Sequence, residues 1–138
     1  MGDIMGHSPQ IESTYVSTNK TYDYSKVFFP IRPIIERADF TVANLEVTLA
    51  RTPYTGYPAF SLPDALAFDS KKAGVEVMVS SNNHACDRGR QGIIRTLDIL
   101  DSAQLAHTGT FRSTKEQEKH PFIWLEKRQY KIALLNYT

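Results

Sequence analysis

The sequence predicts an α/β layer fold: a largely parallel sheet flanked by helices. Three observations carry that prediction. Helix-like and strand-like segments alternate along the 138 residues, as in chains that build parallel sheets through helical crossovers. The strand-like segments are short, apolar and bounded by turn residues, so they read as buried strands. Hydrophobic residues make up 41% and charged residues 22%, which is enough apolar material for one core and argues against disorder.

Each element has a local reason. Met1 to His7 places turn-like glycines around Asp3, with no strand before it, and residues 8–24 are polar and tyrosine-rich and read as loop. Residues 25–37 carry Phe28, Ile31, Ile34 and Ile35 at helical spacing, but Pro30 and Pro33 break the run into a short or interrupted helix. Phe40 to Leu45 is a compact apolar strand that ends near Glu46. Pro53, Gly56, Pro58 and Pro63 make residues 51–63 a surface loop. Asp64 to Ala73 is a helix stopped by Gly74, and Val75 to Ser80 is a second buried strand. Gly89 to Ala103 is the clearest helix, with Ile93, Ile94, Leu97 and Leu100 on one face. Leu105 to Thr108 reads as a short strand. Phe122 to Glu126 and Tyr130 to Asn136 read as two strands joined at Lys127-Arg128-Gln129, with Trp124 facing a core. No linker divides the chain, so residues 1–138 form one domain.

Charge and cysteine content narrow the function. Sixteen basic residues against fifteen acidic ones give a formal charge of +1, without the basic excess of a phosphate-gripping nucleic-acid binder. No nucleic-acid partner is expected. Cys86 is the only cysteine, which excludes an intrachain disulfide and a Cys₂ or Cys₄ zinc site. No apolar run reaches the roughly 18 residues of a membrane helix. The first twenty residues hold Asp3 and Glu12 and do not read as a signal peptide.

Polar residues collect where chemistry is expected. Open parallel sheets bind ligands beyond the carboxyl ends of their strands. One predicted strand ends Ala43-Asn44-Leu45-Glu46, and another runs into Ser81-Asn82-Asn83-His84-Ala85-Cys86-Asp87. If these strands are neighbours, Glu46, Asn83, His84 and Asp87 share a crevice, and Asp3 has the same local character. Carboxylates, an amide carbonyl and an imidazole suit Mn²⁺, Mg²⁺, Fe²⁺ or Zn²⁺. Plainer readings stand beside this one. Glu46 is then a strand-end acid, Asp3 a terminal residue, Asn82 and Asn83 loop formers, and His84 a hydrogen-bonded loop histidine. Asp87 would cap the helix near Gly89, Cys86 would be a small buried residue, and His107 and His120 would be solvated.

The motif order resembles a known family. Gly2-Asp3-Ile4-Met5, Ala43-Asn44-Leu45-Glu46, Asn82-Asn83-His84 with Asp87 and Gly89, Thr96, and His107-Thr108-Gly109-Thr110 resemble the poly-γ-glutamate capsule synthesis protein CapA family. Tyr57 to Ser61 and Ile132 to Thr138 share that resemblance. The family is similar in fold to calcineurin-like metallophosphoesterases. The resemblance implies that Asp3, Glu46 and Asn83 are metal ligands and that His84 contacts the reacting group. Asn44 and Asp87 would orient them, and His7 would be the nearest imidazole to a position where phosphoesterases carry histidine and this chain has Met5. It further implies an anionic polymer or a phosphorylated substrate, other capsule synthesis proteins as partners, and a cell-envelope or extracytoplasmic setting for a longer parent.

The family pattern continues into further histidine motifs beyond residue 138 and begins with an apolar strand before Gly2. The chain is therefore expected to be a truncated, partial domain covering the first half of the family domain, with little or no turnover on its own. A general metal-dependent phosphoesterase and a non-catalytic binding piece are the alternative functions.

Overall fold

The computed structural model describes residues 1–138. The elements in order are β1 (Asp3–Ile4), α1 (Ser8–Ser13), β2 (Tyr15–Val16), β3 (Thr21–Tyr22), α2 (Ser25–Phe28), α3 (Arg32–Ile35) and β4 (Val42–Leu45). Then follow α4 (Ala65–Lys72), β5 (Val77–Val79), α5 (Gly89–Ser102), β6 (Ala106–Thr108), α6 (Thr114–Lys119), β7 (Ile123–Lys127) and β8 (Tyr130–Leu134). The main sheet has four strands in the order β1-β4-β5-β6, and every pairing in it is parallel. The predicted α/β architecture, a parallel sheet with flanking helices, is the observed one.

Register brings the strand ends to one level. Asp3 pairs with Asn44, Asn44 with Val79, and Val79 with Thr108. The pairing of β1 and β4 runs on past the strands, because the Glu46 amide donates to the Ile4 carbonyl at 3.1 Å. Side chains alternate along an extended chain. Ala43, Leu45 and Val47 are accordingly buried, while Asn44 and Glu46 share the opposite, half-buried side.

The helices cover this sheet for reasons visible in their residues. Leu97 and Leu100 of α5 are wholly buried, and Arg90, Asp98 and Asp101 face outward. Burying each such leucine contributes about 1.5–3 kcal/mol. Leu66, Ala67 and Ser70 of α4 are buried, and the helix closes on Gly74 at φ +104°. A side chain there would sit 3.0 Å from the Ile35 Cγ2 atom, so glycine suits both the backbone and the packing.

Several local expectations are corrected. Residues 8–24 are not simply loop. Pro9 occupies the first turn of α1, and Tyr15 and Tyr22 pair across the small β2–β3 hairpin. Asp69 anchors this region by accepting from the Tyr24 amide at 2.8 Å. The loop at 51–63 surfaces only in part: Phe60 and Leu62 are wholly buried, and Thr48 holds the Phe60 carbonyl at 2.6 Å. Asp3 and Ile4 themselves form the edge strand β1 of the sheet. Trp124 is 52% exposed, because β7 and β8 pair only with each other and stand off the main sheet. Cys86 is exposed, and His107 lies in β6 with its ring 2.9 Å from Asp101. The helix α6, capped by the Ser113 hydroxyl at the Glu116 amide, has no counterpart in the sequence reading.

Candidate functional site

The strand-end register assembles a cluster of carboxylates and amides. The Asn44 side-chain nitrogen donates to Asp3 Oδ1 and to Glu46 Oε2, each at 2.9 Å. The two acceptor oxygens therefore lie less than twice that distance apart. Asn82 completes the cluster from the end of β5. Its nitrogen donates to Asn44 Oδ1 at 3.0 Å and to the Leu45 carbonyl at 2.9 Å, and its oxygen accepts from the His84 amide at 3.0 Å.

The second half of the site is built on the turn after β5. His84 Nδ1 lies 3.0 Å from Asp87 Oδ2, and both side chains are largely buried. The same Asp87 oxygen accepts from the Phe60 amide at 2.7 Å. Asp87 therefore does not cap α5; the residue at that position is Arg88. The Phe60 ring meets His84 edge-on with centroids 4.7 Å apart. Packing and hydrogen bonding together hold the imidazole in one orientation, with Nδ1 engaged by Asp87 and Nε2 making no hydrogen bond within the protein.

The structure sorts the sequence-predicted residues. It brings Asp3, Asn44 and Glu46 together, and it joins His84 to Asp87. Asn83 is exposed and its side chain makes no hydrogen bond within the protein. His7 precedes α1 and packs against Phe60 with ring centroids 5.3 Å apart. Sequence reasoning treated Asn82 as a loop former, yet Asn82 is the connector between the two halves. It also gave no role to Asn136, whose side-chain oxygen accepts from the Ser81 amide at 2.6 Å. Gly109, at φ +110°, makes that approach possible, because a Cβ there would fall 2.1 Å from Asn136 Oδ1. The adjacent Asn pair was the one available signal for Asn82.

Oxygen donors define what this cluster can hold. Two carboxylates and neighbouring amide oxygens suit a hard divalent cation that keeps water in its remaining positions. No group of three or more His, Cys, Asp and Glu side chains converges as a metal cage. Asp3 and Glu46 offer carboxylate oxygens alone, the ligand chemistry of a hard cation rather than of a thiolate or histidine cage.

A parallel α/β sheet with carboxylates, amides and an oriented imidazole beyond its strand ends has the arrangement in which open sheets commonly bind ligands. A family model described as bacterial capsule synthesis protein PGA_cap matches residues 1–138. The chain belongs to that family of bacterial capsule synthesis proteins. Two proteins of Sinorhizobium fredii (strain NBRC 101917 / NGR234), uncharacterized protein y4sH and uncharacterized protein y4uA, are each 29% identical to it over 118 residues. Those matches cover 79% of this chain and 25% of each relative, so the chain spans about a quarter of the length of the curated relatives it matches. No helix is long and apolar enough to cross a membrane.

Proposed function

We propose that this chain supplies a divalent-cation site to a protein that makes, exports or attaches an anionic capsule polymer of the poly-γ-glutamate type at the cell envelope. The observation that carries the reading is the single Asn44 amide shared by Asp3 and Glu46 in a chain of the capsule synthesis family. Asp3 and Glu46 would hold the cation, with the exposed Asn83 as an added carbonyl donor. Bound there, Mn²⁺, Mg²⁺, Fe²⁺ or Zn²⁺ would act as a Lewis acid toward a phosphoryl or carboxyl oxygen. Asn44 keeps the two carboxylates facing one point. Asp87 would hold the Nδ1–H of His84, so Nε2 would be the atom that takes a proton from an attacking water and returns it, from the imidazolium so formed, to a departing oxygen.

Thermal unfolding with and without Mn²⁺ tests the site, because a ligand that binds only the native state raises the melting temperature. Wild type should shift upward and Glu46→Gln should not. An absent shift in wild type removes the cation from the proposal. The cellular role is tested separately, by capsule quantity in a bacterium deleted for the gene; unchanged capsule would refute it.

A further inference from the structure

The tyrosine-rich stretch between residues 8 and 24 builds a groove where α1 meets the β2–β3 hairpin. Ile11, Glu12, Tyr15 and Tyr22 line it, around a volume of about 280 Å³. Tyr15 and Tyr22 are directly opposite in the hairpin pairing, so their side chains leave it on one face. Their ring centroids are 5.3 Å apart and their planes are inclined by 55°, which makes two walls at an angle rather than a flat stack. Tyr54, from the loop before α4, meets the Tyr22 ring edge-on at 5.2 Å and 85°. That contact buttresses the half-buried Tyr22, while Tyr15 stays 45% exposed. Ile11 is buried and gives the groove an apolar base.

Glu12 is the one charged residue in the lining. Its carboxylate is exposed and has no cation within 4.0 Å. It stands in the last turn of α1, which carries no basic residue, and an acid there faces the negative pole of the helix. A cross-strand tyrosine pair helps to hold a hairpin whose strands have two residues each. That task requires neither the exposure of Tyr15 nor a bare carboxylate beside it. The faces of the tyrosine rings are the negative side of their quadrupoles. A cation between them would be attracted by both rings and by Glu12, and no Lys or Arg lines the groove to take that place. An anion would meet only repulsion. Angled aromatic walls with an acid alongside suit a quaternary ammonium group, whose methyl groups also bury apolar surface against Ile11 and the rings.

We propose that the groove formed by Glu12, Tyr15 and Tyr22 binds a quaternary ammonium group, held between the two rings with Glu12 balancing its charge. The site does not rest on the divalent-cation reading, and it shares no residue with the strand-end cluster.

Titration with choline, followed by amide chemical shifts, tests the site. The neutral isostere 3,3-dimethyl-1-butanol serves as the control for charge. Choline should bind saturably, with the largest shifts in residues 11–15 and 21–23, and the isostere should bind at least fivefold more weakly. Glu12→Gln removes the charge at constant size, and Tyr15→Leu keeps an apolar contact without the ring. Each should weaken choline binding about fivefold or more. Glu12→Gln should leave the ligand-free melting temperature unchanged or raised, so its loss of binding would not reflect a loss of fold. A second arm, co-sedimentation with phosphatidylcholine vesicles, separates the sources: choline binding with sedimentation assigns the groove to a lipid headgroup, and choline binding without it to a soluble ligand. Absence of choline binding overturns the proposal. So does equal binding of the isostere, binding that survives both variants, or binding that is lost only in Glu46→Gln, which would put the ammonium at the strand ends.

Discussion

The side-chain oxygen of Asn44 accepts a hydrogen bond from Asn82 at 3.0 Å, and this contact decides which way the Asn44 amide faces. With its oxygen engaged, its nitrogen must point at Asp3 and Glu46. Asn82→Ala removes that constraint along with the bond to the Leu45 carbonyl. Urea unfolding should show a loss on the order of 1–3 kcal/mol, the range for stranding polar groups of this kind. The Mn²⁺-induced rise in melting temperature should shrink although both carboxylates remain.

Asn83→Ala should behave in the opposite way. Its side chain is exposed and unbonded, so urea unfolding should match wild type within about 0.5 kcal/mol. A reduced Mn²⁺ shift in this variant would establish Asn83 as a ligand; an unchanged shift would remove it from the cation site.

Thr96 explains one motif position through packing. Its hydroxyl accepts from the Leu49 amide at 2.9 Å and donates to the Gly92 carbonyl at 2.8 Å, and the residue is buried. Thr96→Val preserves shape but leaves the Leu49 amide without that acceptor. Destabilisation of about 1–3 kcal/mol is expected in urea, with Mn²⁺ binding retained.

Gly109→Ala should loosen the β7–β8 hairpin. The added carbon would collide with the Asn136 oxygen and lie 2.7 Å from the Ser81 nitrogen, at a backbone φ that disfavours alanine. Asn136 must then release Ser81. Limited proteolysis should cut within residues 120–138 sooner than in wild type.

The Asp101 carboxyl carries a pH prediction. Burial pushes its pKa up, but hydrogen bonds from His107 and Arg112 outweigh this and hold it below the usual carboxylate value. A folded pKa below the unfolded one stabilises the protein above the unfolded value, about 3.9, and that stability disappears as pH falls through the folded value. Asp101→Asn should therefore be less stable than wild type at pH 7. The difference should close in urea melts taken progressively below pH 4.

The main sheet was legible because β4 and β5 are compact apolar runs, and β6 follows the clearest helical pattern in the chain. Glu46 drew attention because a predicted strand ends there, and Asp3 because it sits in a Gly-Asp turn. Asn82 was not legible: which of two adjacent asparagines turns inward depends on the backbone after β5, not on residue type. The depth of Phe60 was hidden because the prolines and glycine around it signal turns without saying what lies beneath them. Trp124 misled because strand alternation indicates an apolar face but not whether anything packs on it.

The register of β1 against β4 sets the order in which this molecule takes shape. The contact from Asp3 to Asn44 joins residues 41 positions apart. Closing a flexible segment of that length costs roughly 3 kcal/mol in chain entropy, and β1 offers only two residues of pairing in return. The β4-β5-β6 sheet and α5 have a far larger apolar core to hold them. Asp3, exposed and at the sheet edge, should therefore be less firmly held than the β4-β5-β6 core. Amide exchange should be faster at Ile4 than at Met78, and the site's competence should fade before the sheet beneath it melts.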